Sequence, residues 1–431
     1  MAEGRSFTVS LVGDVMLGRV VDQLFPRHVH NDHDQDVAAH FVERYPAILG
    51  GGNYSPASPW GTTLSLLRDS DLSLINLETS ATTCAEPWPD KAFNYRMHPA
   101  NLAPILHAAH VDYAGLANNH TLDFGAEGLV ETAWTLRDAG VAFAGAGEST
   151  NQAFKPVSLS LPRQRHPWQS RQAQSYRDRQ ESRHGEAQAQ SPTYTVHIYS
   201  ASDHPRSWSS IPTFHLIDYS PATRVRLRQL LLSDGAAIHP PDTPDPDSDS
   251  SADFAHETHE FHHRAHHHHK RSARREPPAL KIFSVHWGPN YSWHPAAKIR
   301  ALAHFLIDEC GVDIVHGHSS HHVQGVETYH GKIIIYGCGD FVDDYALNEE
   351  YRNDLGAVWR VCLKEQGGGV VLDRLEIFPT RVDRFRAMLL DVSDSDHRWV
   401  RERISWLSSA LGTSVRADTG ELGQLIVDLN V

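Results

Sequence analysis

Val111-Asp112-Tyr113-Ala114-Gly115-Leu116 runs without a break into Ala117-Asn118-Asn119-His120-Thr121-Leu122-Asp123-Phe124-Gly125. The first six residues read as a short strand, and Gly125–Ala139 has the apolar period of a helix. An amide, an imidazole and a carboxylate therefore stand just past the carboxyl end of a strand, where open α/β sheets bind their ligands. The side-chain oxygen of Asn119 is a neutral, hard metal ligand. His120 reads as a ligand or as a proton donor, with Asp123 orienting it through a hydrogen bond. Taken alone, a polar turn with Asn in a left-handed conformation accounts for the stretch equally well.

The same unit recurs along the chain. Strands are expected at Phe7–Val12, Leu72–Leu77, Tyr194–Ser200, Leu280–Val285, Val312–Val315, Ile333–Tyr336 and Val358–Leu363. Helical spacing marks Pro99–His110, Pro221–Leu232, His294–Glu309 and Asp396–Leu411. Strand followed by helix, repeated, predicts an α/β fold with mainly parallel strands at its centre. Val370–Thr380 and Val382–Leu390 read as further strands in a more antiparallel region.

Several of these strands end in a metal-ligating group. Asp14 follows the first, in Gly13-Asp14-Val15-Met16-Leu17-Gly18-Arg19, where its plainer role is to cap the next helix. Arg19 is near enough in sequence to meet an anionic substrate group. Glu78 closes Leu74-Ile75-Asn76-Leu77-Glu78, and its carboxylate could bridge two metals. His286 follows Leu280–Val285. His316, His318, His321 and His322 crowd the turn after Val312–Val315, the densest group of candidate ligands. Carboxylate, amide and imidazole without thiolate suit one or two divalent ions such as Mn, Fe or Zn. Two such ions about 3.5–4 Å apart can drive an in-line displacement.

Composition narrows the class. The chain has 431 residues and a formal charge of -14, from 39 basic and 53 acidic residues, which argues against general affinity for nucleic acid or anionic membrane. Four scattered cysteines form no CxxC pair, so neither a disulfide framework nor a cysteine zinc site is expected. No signal peptide and no span of about 18 apolar residues is visible, so a cytoplasmic protein is the expectation. Two polar stretches, 163–191 and 233–278, lack the apolar surface to offset chain entropy and read as disordered insertions in one domain, 1–431. The second holds the tract His256–His269, read as low-complexity sequence.

The motifs GDVMLGR, INLE, FNYRMHPANL, LANNHTLDFGAEGL, SVHWGPNY, GHSSHHVQGVE and YGCGDFVDDY, in this order, resemble the bacterial capsule-synthesis (CapA, poly-γ-glutamate biosynthesis) family. The resemblance covers nearly the whole chain outside the insertions. It implies a calcineurin-like metallophosphoesterase fold, a four-layer α/β/β/α sandwich. It also implies a metal-dependent hydrolase acting on a phosphoester or phosphoanhydride, with an anionic small molecule or polyglutamate as substrate. By resemblance Asp14 matches the first metal-binding Asp, Glu78 the bridging carboxylate, Asn119 the ligating amide and His120 the catalytic imidazole. His286 resembles the lone ligating His, and His318 with His321 the final pair. Met16 stands where the phosphoesterases carry a ligating His, and the closing Gly-His-x-His is one residue longer here, as Gly317-His318-Ser319-Ser320-His321. These departures keep two other readings open: a non-catalytic accessory component working beside a ligase, and hydrolysis of a γ-glutamyl amide.

Overall fold

The computed structural model describes residues 4–163, 192–233 and 277–429. The insertions expected at 163–191 and 233–278, including the histidine tract, lie outside these residues except at their ends. The described chain is a mixed α/β structure with two large sheets.

The first sheet holds a parallel run of β1 (Ser6–Val15), β2 (Leu72–Leu77), β5 (Tyr113–Gly115) and β6 (Ala142–Ala144). Beyond β1 it turns antiparallel through β14 (Leu355–Gln366), β15 (Gly369–Val382) and β16 (Ala387–Leu389), with β17 (Leu425–Asp428) also on β15. The short β13 (Asp340–Val342) lies parallel to the end of β1. In the second sheet β8 (Tyr194–Ser202), β9 (Leu280–His286), β10 (Ile314–His318) and β12 (Lys332–Ile335) are parallel, flanked by antiparallel β7 (Val157–Leu161) and β11 (Val326–Tyr329). A small parallel pair, β3 (Ser80–Ala81) and β4 (Arg96–Met97), completes the set.

Side-chain alternation with period two explains the packing. Phe7, Val9 and Leu11 of β1 join Leu72, Leu74 and Tyr113 in a core that also takes Val196, Ile198, Leu280, Ile282 and Ile314 from the second sheet. The opposite face of the first sheet, with Val12, Val15, Ile75, Leu77 and Ala114, packs on the helices Pro99–Ala108 and Gly125–Ala139. Tyr199, Ala201, Phe283, Val285 and Val315 do the same for the second sheet against Pro221–Leu232 and Ala297–Asp308. Helix boundaries follow their local chemistry. Ser220 caps Pro221–Leu232 by accepting from the Thr223 amide, and Gly140 ends Gly125–Ala139 in the left-handed region at φ 70°.

One irregularity directs everything downstream. Leu11 pairs with Leu74, but Asp14 pairs with Asn76, so β1 gains one residue on β2 between these positions. Such a bulge re-aims the side chains that follow it. Without it Asp14 would share the helix-facing side of Val12; with it, Asp14 lies beside Asn76 on the face that Leu72 and Leu74 turn to the second sheet. Gly13, within the bulge, lets the Gly339 backbone approach β1, because a Cβ there would stand 1.9 Å from the Gly339 carbonyl oxygen. Gly13→Ala is expected to lower stability by about 1–3 kcal/mol or more, the cost of overpacking a rigid backbone contact. Thermal unfolding followed by circular dichroism checks this, and an unchanged melting temperature would contradict it.

Candidate metal centre

Parallel strands deliver their carboxyl ends to one edge, and the two sheets do so together. Asp340, Asp14, Asn76 and Gly115 stand side by side in register across β13, β1, β2 and β5. Ser202, His286 and His318 form the corresponding row across β8, β9 and β10. The two sheets approach closely at Gly115, where a Cβ would lie 3.4 Å from Ser284 Oγ, two residues before His286 on β9. Asp14 is not a helix cap, since Gly18 holds that position for Arg19–Gln23.

Asp14, His286 and His318 each offer a ligand atom, all within 4.8 Å of one another. Asp14, His321 and Asp340 form a second such group. All five residues are buried. The turn after β10 brings His321 back toward Asp14 by holding Ser319 and His321 at φ 98° and 61°. Left-handed conformations at non-glycine residues cost energy and tend to gather at functional sites.

A chain of hydrogen bonds sets the tautomer of His318. The Val12 carbonyl can only accept, so His316 donates to it from Nε2 at 2.9 Å. His316 Nδ1 then accepts from Ser284 Oγ at 3.2 Å, and Ser284 Oγ accepts from His318 Nε2 at 3.1 Å. His318 Nδ1 keeps its lone pair, 2.9 Å from His286 Nδ1 and 3.9 Å from Asp14 Oδ1. Fixing the distal ring nitrogen is how proteins orient an imidazole ligand. Of the four clustered histidines, His318 and His321 face the centre. His316 is the support just described, and His322 bonds the Val323 carbonyl at 3.0 Å and packs on Trp293 and Tyr351.

Glu78 stands beside this cluster, and Asn119 lies in the loop after β5. Asn76 donates to Asp14 Oδ1 at 2.7 Å and to Glu78 Oε2 at 3.3 Å. Asn118 ties the loop after β5 to β2 through Asn76 Oδ1 at 3.1 Å and the Leu77 carbonyl at 2.8 Å. Glu78 Oε1, Asn119 Oδ1 and Asp340 Oδ2 are buried acceptors with no hydrogen-bond partner. Burial and the neighbouring Asp14 and Asp340 push the Glu78 carboxyl well above the usual range, and burial with Asp14 does the same to Asp340. Burial holds His286 and His318 well below the ordinary imidazole value, and His321 below it too, so all three favour the neutral form that binds metal. Carboxylates with unpartnered oxygens beside neutral imidazoles fit a divalent cation by charge and by donor type.

His120 lies beside this cluster. Its Nδ1 is 2.7 Å from Asp123 Oδ2 and its Nε2 is 3.8 Å from Glu78 Oε1. Burial lowers its pKa to about 4, against the opposing pull of Asp123. Lys91 braces the pair, donating to Asp123 Oδ1 and to the Asn119 carbonyl at 2.5 Å. Tyr95 stacks on His120 with ring centroids 4.0 Å apart. Arg19 is one step further out, over the Tyr95 ring at 5.1 Å, and its guanidinium is engaged by Asp344 at 3.5 Å and Asp34 at 3.9 Å.

Sequence reasoning passed over Asp340, Asn76, Lys91 and a second histidine–carboxylate pair. Asn76 had a signal, since period two places it on the face of Leu72 and Leu74. Asp340 follows Gly337-Cys338-Gly339 soon after an apolar strand, the pattern that marked Asp14. Lys91 lies in a loop with no local signature. His204 Nδ1 is 2.5 Å from Asp203 Oδ1, and its ring lies 5.0 Å from that of His286.

Ligands that bind only the folded state stabilise it by mass action, about 2.7 kcal/mol at a hundredfold excess over Kd. Mn, Fe or Zn added to metal-stripped protein is therefore expected to raise the melting temperature, and a chelator to reverse the gain. His318→Ala and Asn119→Ala should each lower bound metal measured by elemental mass spectrometry. Wild-type metal content in both variants would exclude the proposed centre.

The sequence profile described as "Bacterial capsule synthesis protein PGA_cap" matches residues 8–345. A Mycobacterium tuberculosis protein named "Probable polyglutamine synthesis accessory protein" is 32% identical over 98% of this chain and 97% of its own length. The "PGA biosynthesis protein CapA" of Bacillus subtilis is 35% identical over 23% of this chain and 24% of its own. With a family profile spanning most of its length and a full-length relative, the chain belongs to the bacterial capsule synthesis protein PGA_cap family.

Proposed function

We propose that this protein is a metal-dependent hydrolase of phosphoesters or phosphoanhydrides within that family, built as a four-layer α/β/β/α sandwich of the calcineurin-like type. The layer reading draws on the three cores, one shared by both sheets and one between each sheet and its own helices. The observation that carries the activity is the convergence of Asp14, His286 and His318 within 4.8 Å, beside the His120–Asp123 pair.

In this reading Asp14, Glu78, Asn119, His286, His318 and His321 hold one or two divalent ions. Bound Mn, Fe or Zn supplies Lewis-acid stabilisation of developing negative charge. His120 gives its Nδ1 proton to the hydrogen bond with Asp123, which leaves Nε2 facing the centre. An anionic phosphoryl group arriving beside Nε2 raises the proton affinity of the ring, as Asp123 already does. His120 is then placed to protonate the leaving oxygen. Lys91, through Asp123, and the stacked Tyr95 keep the ring from turning away. Arg19, at the rim, steers the anionic substrate while remaining anchored by Asp344.

The name of the M. tuberculosis relative, a probable polyglutamine synthesis accessory protein, favours a second reading, a non-catalytic accessory component. Cleavage of a γ-glutamyl amide would use the same residues. Among the described residues no helix is long and apolar enough to cross a membrane, and the cytoplasm is the proposed location.

Protein loaded with Mn, Fe or Zn should hydrolyse members of a phosphoester panel. His120→Ala should lower kcat by about 10²- to 10⁴-fold with bound metal unchanged, as expected for loss of a proton donor. No turnover by metal-replete wild type would reject the phosphoesterase reading. Co-purification with a ligase, or mass-spectrometric cleavage of poly-γ-glutamate, would then select between the other two.

A further inference from the structure

A shelf of aromatic rings leads away from the candidate centre. It starts at Tyr291, whose ring centroid is 5.8 Å from that of His321. Tyr351 follows at 5.4 Å from Tyr291, and Trp293 stacks on Tyr351 at 4.7 Å. Arg403 lies 4.2 Å over the Trp293 ring and carries the run on to Trp399 at 5.0 Å and Trp406 at 5.8 Å. Three separate segments supply these groups: the loop after β9, the loop after β13 and the helix Ser395–Ser409.

Packing of that helix does not account for the shelf. Val400, Ile404 and Leu407 already bury its apolar face. Trp399, Arg403 and Trp406, spaced four and three residues apart, form an adjacent flank. Trp406 leaves 54% of its surface in water, where a large apolar side chain gains little. Tyr291 is held left-handed at φ 58°, a strained conformation of the kind that gathers at functional sites. The Arg403 guanidinium rests on rings and, among the described residues, has no carboxylate partner. Arg352, also over Trp399, is by contrast neutralised by Asp354 and Asp396.

We infer that this shelf is a binding site for an acidic oligosaccharide, whose sugar rings lie on the aromatic faces and whose acidic group pairs with Arg403. The flat C–H face of a pyranose ring covers an aromatic face as other apolar groups do. A guanidinium resting on rings still presents its N–H edge to a carboxylate. A succession of rings fits a chain of rings better than one planar group. Single-stranded nucleic acid also stacks on aromatic rows, but it brings a phosphate with every base and needs a track of cations. Here one uncommitted guanidinium stands on the rings, in a chain of formal charge -14. An acidic peptide has the same need for cations and no flat faces for the tryptophans. The inference goes beyond the hydrolase reading, which concerns the metal centre alone.

The test is calorimetric titration of full-length, metal-stripped protein, so that the centre contributes nothing. The probes are hexagalacturonate (acidic), cellohexaose (neutral), a thymidine hexanucleotide and γ-linked hexaglutamate. Wild type should bind hexagalacturonate about tenfold or more tightly than cellohexaose, and both more tightly than the other two. Trp406→Ala should weaken both glycans about tenfold, with an unchanged melting temperature. Arg403→Gln should bind the two glycans alike. Failure of wild type to bind either glycan would overturn the inference. So would wild-type glycan affinity in Trp406→Ala, a retained acidic preference in Arg403→Gln, or tighter binding of the nucleotide or the peptide. Glycan binding by protein that turns over no phosphoester when metal-loaded would support this inference and remove only the hydrolase reading.

Discussion

A single extra residue in β1 decides what this molecule can do. The bulge between Leu11 and Asp14 lifts one carboxylate out of the helix-facing core and sets it between the sheets. The remaining ligand candidates are arranged around that carboxylate: Asn76 beside it in β2, Asp340 beside it in β13, and His318 and His321 across from its two oxygens. Within the bulge the Val12 carbonyl accepts from His316, which starts the hydrogen-bond chain that keeps His318 Nδ1 unprotonated. Backbone geometry in one sheet therefore sets the tautomer of a side chain in the other.

The electrostatics follow from burial. Carboxylates and imidazoles taken out of water both favour their neutral forms. Glu78 and Asp340 are raised, and His286, His318 and His321 are lowered, so the site resists the internal ion pairs that would otherwise close it. A divalent ion held by these residues would relieve the set, accepting the imidazole lone pairs and offsetting the carboxylate charge. His120 stands beside these groups, held by its bond to Asp123 and by the stacked Tyr95. The same arrangement would serve a binding protein, and family membership alone does not assign a reaction.

Much of the fold was legible in the chain because its strong elements carry strong periodicity. Leu72–Leu77 and Gly125–Ala139 have the expected bounds, and the Val370–Thr380 and Val382–Leu390 pair is antiparallel as expected. Strands of three to five residues, such as Ala142–Ala144, Val157–Leu161 and Asp340–Val342, escaped because so short a run gives period two little to repeat. Losing Asp340–Val342 also hid Asp340, whose importance lies in the strand beside it. Arg19 looked free in the sequence, but its partners Asp34 and Asp344 are far along the chain.

Local chemistry alone placed donors at the carboxyl ends of strands. Asp14, Glu78, Asn119, His286 and the histidines of 316–322 could be named because glycines and apolar runs mark where each strand stops. Sequence spacing could not say which of them turn inward. His316 and His318 are two residues apart on one strand, yet one supports and the other faces the centre, through the register between β9 and β10 and the contact with Val12. That choice required both sheets to be in place, since the direction of a side chain depends on a bulge and a partner hundreds of residues away.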